Sequence, residues 1–244
     1  MKMNKEVEGI ILREKDYGDT SKILDIFTFD YGIIGVIAKG AKSMKSKLRS
    51  VTSKFTYGIF NIYYKENKLS TLKEVDIINN FKNIKTNIES IAFSTFLLDL
   101  AEQVYKQNND NNIYNILINA LIKMNDKYDL LALTNIVELK YLDYLGVMPE
   151  LNSCCICGSK NIITLSSDKG GYICSNCRTY ERLYSDKTLK LIRMFYYVDI
   201  SKIDKLSIND DIKKEINEFL DSYYERYTGL YLKSKKFLNN LKNI

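Results

Sequence analysis

Along the first 80 positions, apolar residues fall in short runs separated by turn residues. Glu8-Gly9-Ile10-Ile11-Leu12-Arg13 is one such run, and Ser21 to Phe29 alternates around Ile23, Leu24, Ile26, Phe27 and Phe29. Ile33 to Ala38 is β-branched and stops at Lys39-Gly40. Phe55 to Tyr64 is dense in Phe, Tyr and Ile, and Lys68 to Asp76 is a further extended piece. Tyr17-Gly18-Asp19, Asp30-Tyr31-Gly32 and Glu66-Asn67 divide these runs. Short strands at this spacing predict a small barrel or sandwich. Five of them within about 70 residues suit an OB-type barrel.

After Phe81 the period lengthens to that of a helix. Ile88, Ile91, Ala92 and Leu98 share one face of a first helix, which the polar run Gln107 to Asn112 interrupts. Two more helices are expected over Ile113 to Met124 and Leu130 to Leu145. Asp129 stands as the N-cap of the latter, and Gly146 sits where a left-handed residue ends a helix. Pro149, the only proline, follows just beyond. The next stretch holds all five cysteines and breaks the helical pattern. Helices then resume over Lys187 to Val198, Asp210 to Tyr227 and Ser234 to Leu241, and are expected to pack with the earlier ones. The predicted class is α+β. An OB-fold β-barrel occupies 1–80, an all-α domain occupies 81–149 and 183–244, and a four-cysteine element is embedded at 150–182.

Composition narrows the chemistry more than the fold. The chain has 244 residues, 45% of them hydrophobic and 27% charged, which is ordinary for a globular protein, but it has no histidine. That absence removes Ser-His-Asp and Cys-His nucleophiles, the HExxH helix and the zinc deaminase site. No GxxxxGK[ST] loop occurs. Gly32-Ile33-Ile34-Gly35 lacks the third glycine of a dinucleotide fingerprint. Carboxylate pairs such as Asp210-Asp211 fall at helix starts, where the dipole alone favours an acid. The chain reads as a binding protein rather than an enzyme. No run of 18 apolar residues is present, and Met1 to Glu8 leads into no hydrophobic signal segment, so a cytoplasmic protein with no membrane contact is expected.

Charge is uneven. The net charge of +6 divides into +4 over residues 1–80, −3 over 81–150, +2 over 151–182 and +3 over 183–244. From Tyr31 to Lys65 there are seven cations and no acid. Six of the seven, Lys39, Lys42, Lys45, Lys47, Arg49 and Lys54, fall in one loop between predicted strands. An acid-free window of this length fits a polyanionic partner, and equally a solvated lysine-rich loop. Tyr57, Phe60, Tyr63 and Tyr64 on the following strand offer stacking surface, although half of any barrel strand points inward.

The cysteines read Cys154-Cys155-Ile156-Cys157-Gly158 and Cys174-Ser175-Asn176-Cys177. Setting Cys155 aside leaves C-x2-C, sixteen residues, and C-x2-C, which is zinc-site spacing. Two such turns close a tetrahedral four-thiolate site, with no open position for chemistry. The expected cofactor is therefore one structural Zn2+ held by Cys154, Cys157, Cys174 and Cys177. Gly170-Gly171 marks a hairpin tip between Ile162–Leu165 and Tyr172–Ile173. Cys155 is expected to be a spectator or an exposed thiol.

The order of these features resembles the RecO family of bacterial recombination mediators over nearly the whole chain. In the barrel the resemblance rests on Tyr17-Gly18-Asp19, Thr28 to Gly32, and Lys39-Gly40-Ala41 with the basic loop. Further on it rests on Leu145-Gly146-Val147-Met148-Pro149-Glu150-Leu151 leading into the four cysteines, and on Leu232 to Leu238. The resemblance implies an OB-fold, a helical domain and a zinc element. It implies binding of single- and double-stranded DNA and annealing of complementary strands in DNA repair and homologous recombination, at the nucleoid. It also implies docking of the C-terminal tail of the single-strand DNA-binding protein, with candidate cations Lys106, Lys123, Lys140, Arg193 and Lys213. RecR is an implied partner and RecA an indirect one, loaded onto coated DNA. Two other classes stay open: a zinc-ribbon scaffold or transcription-associated protein whose loop binds a protein, and a carboxylate-based metal-dependent nuclease.

Overall fold

The computed structural model describes residues 3–241, with side chains as far as Leu238; Met1 and Lys2 of the N-terminal reading lie outside these. The chain packs as two compact units, residues 1–87 with 109–115, and residues 88–108 with 116–244. No helix among the described residues is long and apolar enough to cross a membrane.

In the first unit, β1 (Met3–Tyr17), β2 (Ser21–Thr28), β3 (Gly32–Ala38), β4 (Tyr57–Tyr64) and β5 (Ser70–Asn79) pair in the order β1-β2-β3-β5-β4. β1 then pairs with β4, so every strand has two neighbours and the sheet closes. The β3–β5 seam is the thinnest, a parallel pairing at Val36↔Ser70 and Ile37↔Thr71. Alternate side chains fill the interior: Val7, Ile11, Leu24, Ile26, Val36, Phe60, Ile62 and Leu72 are all buried. β1 is far longer than the apolar run that predicted it. Its first half pairs with β4 (Met3↔Tyr64 to Ile10↔Tyr57) and its second with β2 (Gly9↔Thr28 to Tyr17↔Ser21). Only the middle is covered on both faces, so only the middle reads as hydrophobic. Gly9 lies in that overlap. A Cβ there would stand 2.8 Å from the Phe27 carbonyl oxygen, so the close approach requires glycine.

A single turn, α1 (Lys82–Lys85), completes this unit together with residues 109–115. Tyr114 from that segment is buried edge-on against Phe27, with ring centroids 5.3 Å apart. Its hydroxyl and that of Tyr57 both donate to Glu8 Oε1, at 3.2 and 2.8 Å. Burial and the facing carboxylate push both phenols well above the usual tyrosine range.

The second unit contains α2 (Ile88–Gln107), α3 (Asn112–Asn125, from residue 116 on), α4 (Leu130–Tyr144), α5 (Asp186–Tyr197), α6 (Asp210–Tyr227) and α7 (Lys233–Leu241). α4 is its axis, buried on nearly every side and packed against α2, α5 and α6. The expected caps are in place. Asp129 accepts from the Ala132 amide at 2.8 Å, and Gly146 (φ 70°) terminates α4 with its amide on the Asp143 carbonyl. Ile88 departs from the expected apolar face. It stands in the first turn of α2 and is 67% exposed. Across the bundle, half-buried Lys235 of α7 bridges Glu138 of α4 at 2.8 Å and Asp221 of α6 at 2.7 Å.

Candidate metal centre and nucleic-acid interface

Between α4 and α5 the chain forms a hairpin, β6 (Ile162–Ser166) and β7 (Gly171–Cys174), flanked by the two cysteine turns. In the first turn the Gly158 amide donates to the Cys154 carbonyl at 2.8 Å, and Gly158 takes φ 75°. In the second, the amides of Cys177 and Arg178 both donate to the Cys174 carbonyl, at 3.2 and 3.0 Å. These turns carry the sulfurs of Cys154, Cys157, Cys174 and Cys177 to within 4.8 Å of one another, with Cys157 and Cys174 at 3.6 Å. It is the one such group of three or more among the described residues. The four could hold a metal ion, and the spacing in the chain identified all of them.

The electrostatics suit a cation. Burial pushes the Cys154 thiol up, but the amides of Cys157, Ile156 and Cys174 pull it down further, to about 6. Cys177 is pushed up to about 12, chiefly through its hydrogen bond to Cys157, together with burial and its other cysteine neighbours. Crowded sulfurs cannot all ionise without a counter-charge, which a bound metal supplies. Cys155 is outside the cluster. It is half-buried, its thiol donates to the Lys169 carbonyl at 3.1 Å, and burial raises its pKa.

Two supports of this element escaped the sequence reading. Glu150 pairs with the hairpin as a third extended piece. Its amide donates to the Gly170 carbonyl and its carbonyl accepts from the Tyr172 amide, both at 2.9 Å. Its carboxylate meanwhile accepts from the amides of Asn152 and Ser153. The other support is Lys169, which pairs with buried Glu181 at 2.5 Å and donates to the Cys177 carbonyl at 3.1 Å. The ammonium holds the Glu181 carboxyl down to about 2. The Gly170-Gly171 pair was the available signal for Glu150. A Cβ on Gly171 (φ 152°) would stand 2.4 Å from the Glu150 carbonyl oxygen. Gly171→Ala must therefore displace backbone. It should cost at least about 2 kcal/mol, read as a lower melting temperature, and an unchanged melt would refute the tight pairing.

The basic loop between β3 and β4 is a chain of turns rather than a free strap. Successive amides (Ser43, Ser46, Arg49) donate to carbonyls three residues back, and the Lys42 amide reaches the Thr20 carbonyl at 2.8 Å. Ala41 and Thr52 are buried, and Leu48 and Val51 pack on the barrel core. Ala41, Leu48 and Val51 turn inward, whereas Lys39, Lys45, Lys47 and Arg49 are exposed, as is Met44. Lys42 pairs with Asp16 at 2.7 Å, and half-buried Lys54 lies over the Phe55 ring at 5.2 Å. Phe55 itself takes φ 67° and donates its amide to the Ile11 carbonyl, so the strand expected from Phe55 begins only at Tyr57.

The aromatic residues of β4 divide as a barrel strand must. Tyr57 and Phe60 are buried. Tyr63 faces out beneath the Lys73 ammonium at 4.5 Å. Tyr64 packs against Tyr31, the rings tilted 37° with centroids 5.0 Å apart, under Lys5. Among the helical cations singled out earlier, Lys106 pairs with Glu102, and Lys123 and Lys140 donate to the carbonyls of Ile203 and Tyr196. Lys213 is held by Asp129 and Asp210. Arg193 is exposed and donates to Asn152.

Comparison with known proteins agrees with this architecture. The chain matches the family models described as Recombination protein O N terminal, over residues 1–81, and Recombination protein O C terminal, over residues 85–236. It is 35% identical over 242 residues to DNA repair protein RecO of Bacillus pumilus, covering 97% of this chain and 94% of that protein. The Bacillus subtilis protein of the same name is 34% identical over the same shares. A Listeria monocytogenes relative, also DNA repair protein RecO, is 34% identical over 239 residues, 96% of this chain and 93% of its own. With both halves matched and relatives aligned nearly end to end, the chain belongs to the RecO family of DNA repair proteins.

Proposed function

We propose that this chain acts in DNA repair and recombination by binding single-stranded DNA on its barrel and annealing complementary strands. With RecR it would help load RecA onto DNA coated by single-strand DNA-binding protein. The observation that carries this reading is the β3–β4 loop. Ala41, Leu48 and Val51 anchor it to the barrel, while Lys39, Lys45, Lys47 and Arg49 are exposed on a stretch without one acidic residue. A closed barrel bearing fixed cations and an outward aromatic residue such as Tyr63 can track phosphates while bases stack. Family membership supports the repair context; the strand annealing and the protein partners extend it.

The metal we assign is zinc. Four sulfur donors, with no carboxylate or imidazole among them, are a soft set matched to zinc. Zinc with four protein ligands has no site for substrate, so its contribution is structural: it ties the two cysteine turns across the hairpin.

Salt dependence tests the DNA reading. If about four cations meet phosphates of a single strand, log K should fall against log salt with a slope near −3. Fluorescence anisotropy on a labelled oligonucleotide should then show about fifty-fold weaker binding at 200 mM than at 50 mM salt. Complementary oligonucleotides should anneal faster with the protein than without. A slope near zero, or no acceleration, would count against the proposal.

A further inference from the structure

A groove of about 940 Å³ opens beside the cysteine element. It is lined by Leu151, Ile162 and Leu189, by Lys160, whose ammonium donates to the Asn152 carbonyl at 3.3 Å, and by Lys190 and Arg193 of α5. Asp186 is the one acid among the lining residues, so the rim is cationic. Lys190, Arg193 and Tyr197 follow at spacings of three and four, on one helix face. All three are exposed. The Arg193 guanidinium lies over the Tyr197 ring at 5.5 Å. Asn152 Oδ1 fixes both: it accepts from Arg193 Nε at 3.3 Å and Nη2 at 3.1 Å, and from the Tyr197 hydroxyl at 3.2 Å. Three donors on one oxygen hold the cation and the ring in place before any ligand arrives.

We infer that this groove is a second contact for single-stranded nucleic acid, separate from the basic loop, with phosphates on Lys160 and Lys190 and a base on the Arg193–Tyr197 stack. A planar guanidinium on an aromatic ring extends a stacking surface, and flanking ammonium groups neutralise the backbone. A peptide fits less well. Strand addition needs a free sheet edge, whereas the hairpin is bridged by Glu150 at Gly171 and by Leu183 at Thr164. The inference rests on the DNA-binding reading and adds to it a place for a second strand, which annealing requires.

The test is stoichiometry with a short oligothymidine of about eight nucleotides, titrated at low salt onto the full zinc-loaded chain. Wild type should bind two strands per chain. K190E/R193E should bind one, and should anneal complementary oligonucleotides at least about tenfold more slowly. Lys160→Glu, outside α5 and outside the stack, should weaken the same site, and it serves if the double variant fails to fold as judged by zinc content and melting. One strand per chain for wild type, lost on reversing the loop cations, would overturn the groove and leave the DNA-binding reading standing. No binding by wild type would overturn both. Two strands retained by K190E/R193E, with loss instead of an Asp- and Glu-rich peptide, would overturn the inference in favour of a protein ligand.

Discussion

Cys174→Ser should empty the metal site and unfold the element between α4 and α5, while the barrel keeps its protection. Elemental analysis should fall from about one zinc per chain to a small fraction of that, because three thiolates do not close a tetrahedral structural site. Hydrogen exchange should speed up at Ile162 to Cys174 and at Glu150, whose amide is tied to the hairpin. The size of the effect follows from how little else holds this element. A hairpin of five- and four-residue strands is marginal in water. Its buried apolar residues are few, chiefly Leu151, Leu165, Tyr172 and Ile173. Structural zinc contributes about 10–16 kcal/mol in peptides of comparable ligand set, which dwarfs those contacts. Chelation should reproduce the mutant. Cys155→Ser is the discriminating control: its thiol donates to the Lys169 carbonyl outside the cluster, so zinc content should not change. Loss of zinc in Cys155→Ser equal to that in Cys174→Ser would rule out the assigned ligand set.

Much of this was legible in the chain because the signals were local. Paired C-x2-C turns need only their own residues and a glycine to aim the sulfurs. Asp129 and Gly146 mark helix ends by rules that act within one turn. The change of period after Phe81 is local in the same way, but residues 82–87 and 109–115 pack with the strands, which no local period announces. Long-range partners were another matter. Nothing near Glu8 announces that its carboxylate receives the hydroxyls of Tyr57 and Tyr114, the latter 106 residues away. The ends of β1 read as charged loop because each half is covered by a different strand. Cations could be counted, but which were spent on internal partners depended on tertiary geometry. Lys42 faces Asp16 and Lys213 faces Asp129 and Asp210, whereas Lys45 and Lys47 are exposed.

That sorting sharpens the largest functional prediction. Neutralising Lys45, Lys47 and Arg49 together (to Gln) should weaken single-strand binding by a few hundred-fold at 50 mM salt, if about three of four phosphate contacts go. The salt slope should fall from about −3 to about −0.7, since each contact on a single strand contributes about −0.7. Charge reversal to Glu should go further and abolish measurable binding. Lys42→Gln should matter less, because that ammonium already faces the Asp16 carboxylate, whose pKa it lowers. The fold should tolerate all of these. The loop is anchored by Ala41, Leu48, Val51 and Thr52, and exposed side chains contribute little to stability. A melting curve like that of wild type therefore accompanies the loss. Affinity and slope together separate two ways for the assignment to fail. Unchanged affinity would take the loop out of the DNA interface altogether. Weaker binding with the slope still near −3 would mean that the loop shapes the site while other cations hold the phosphates.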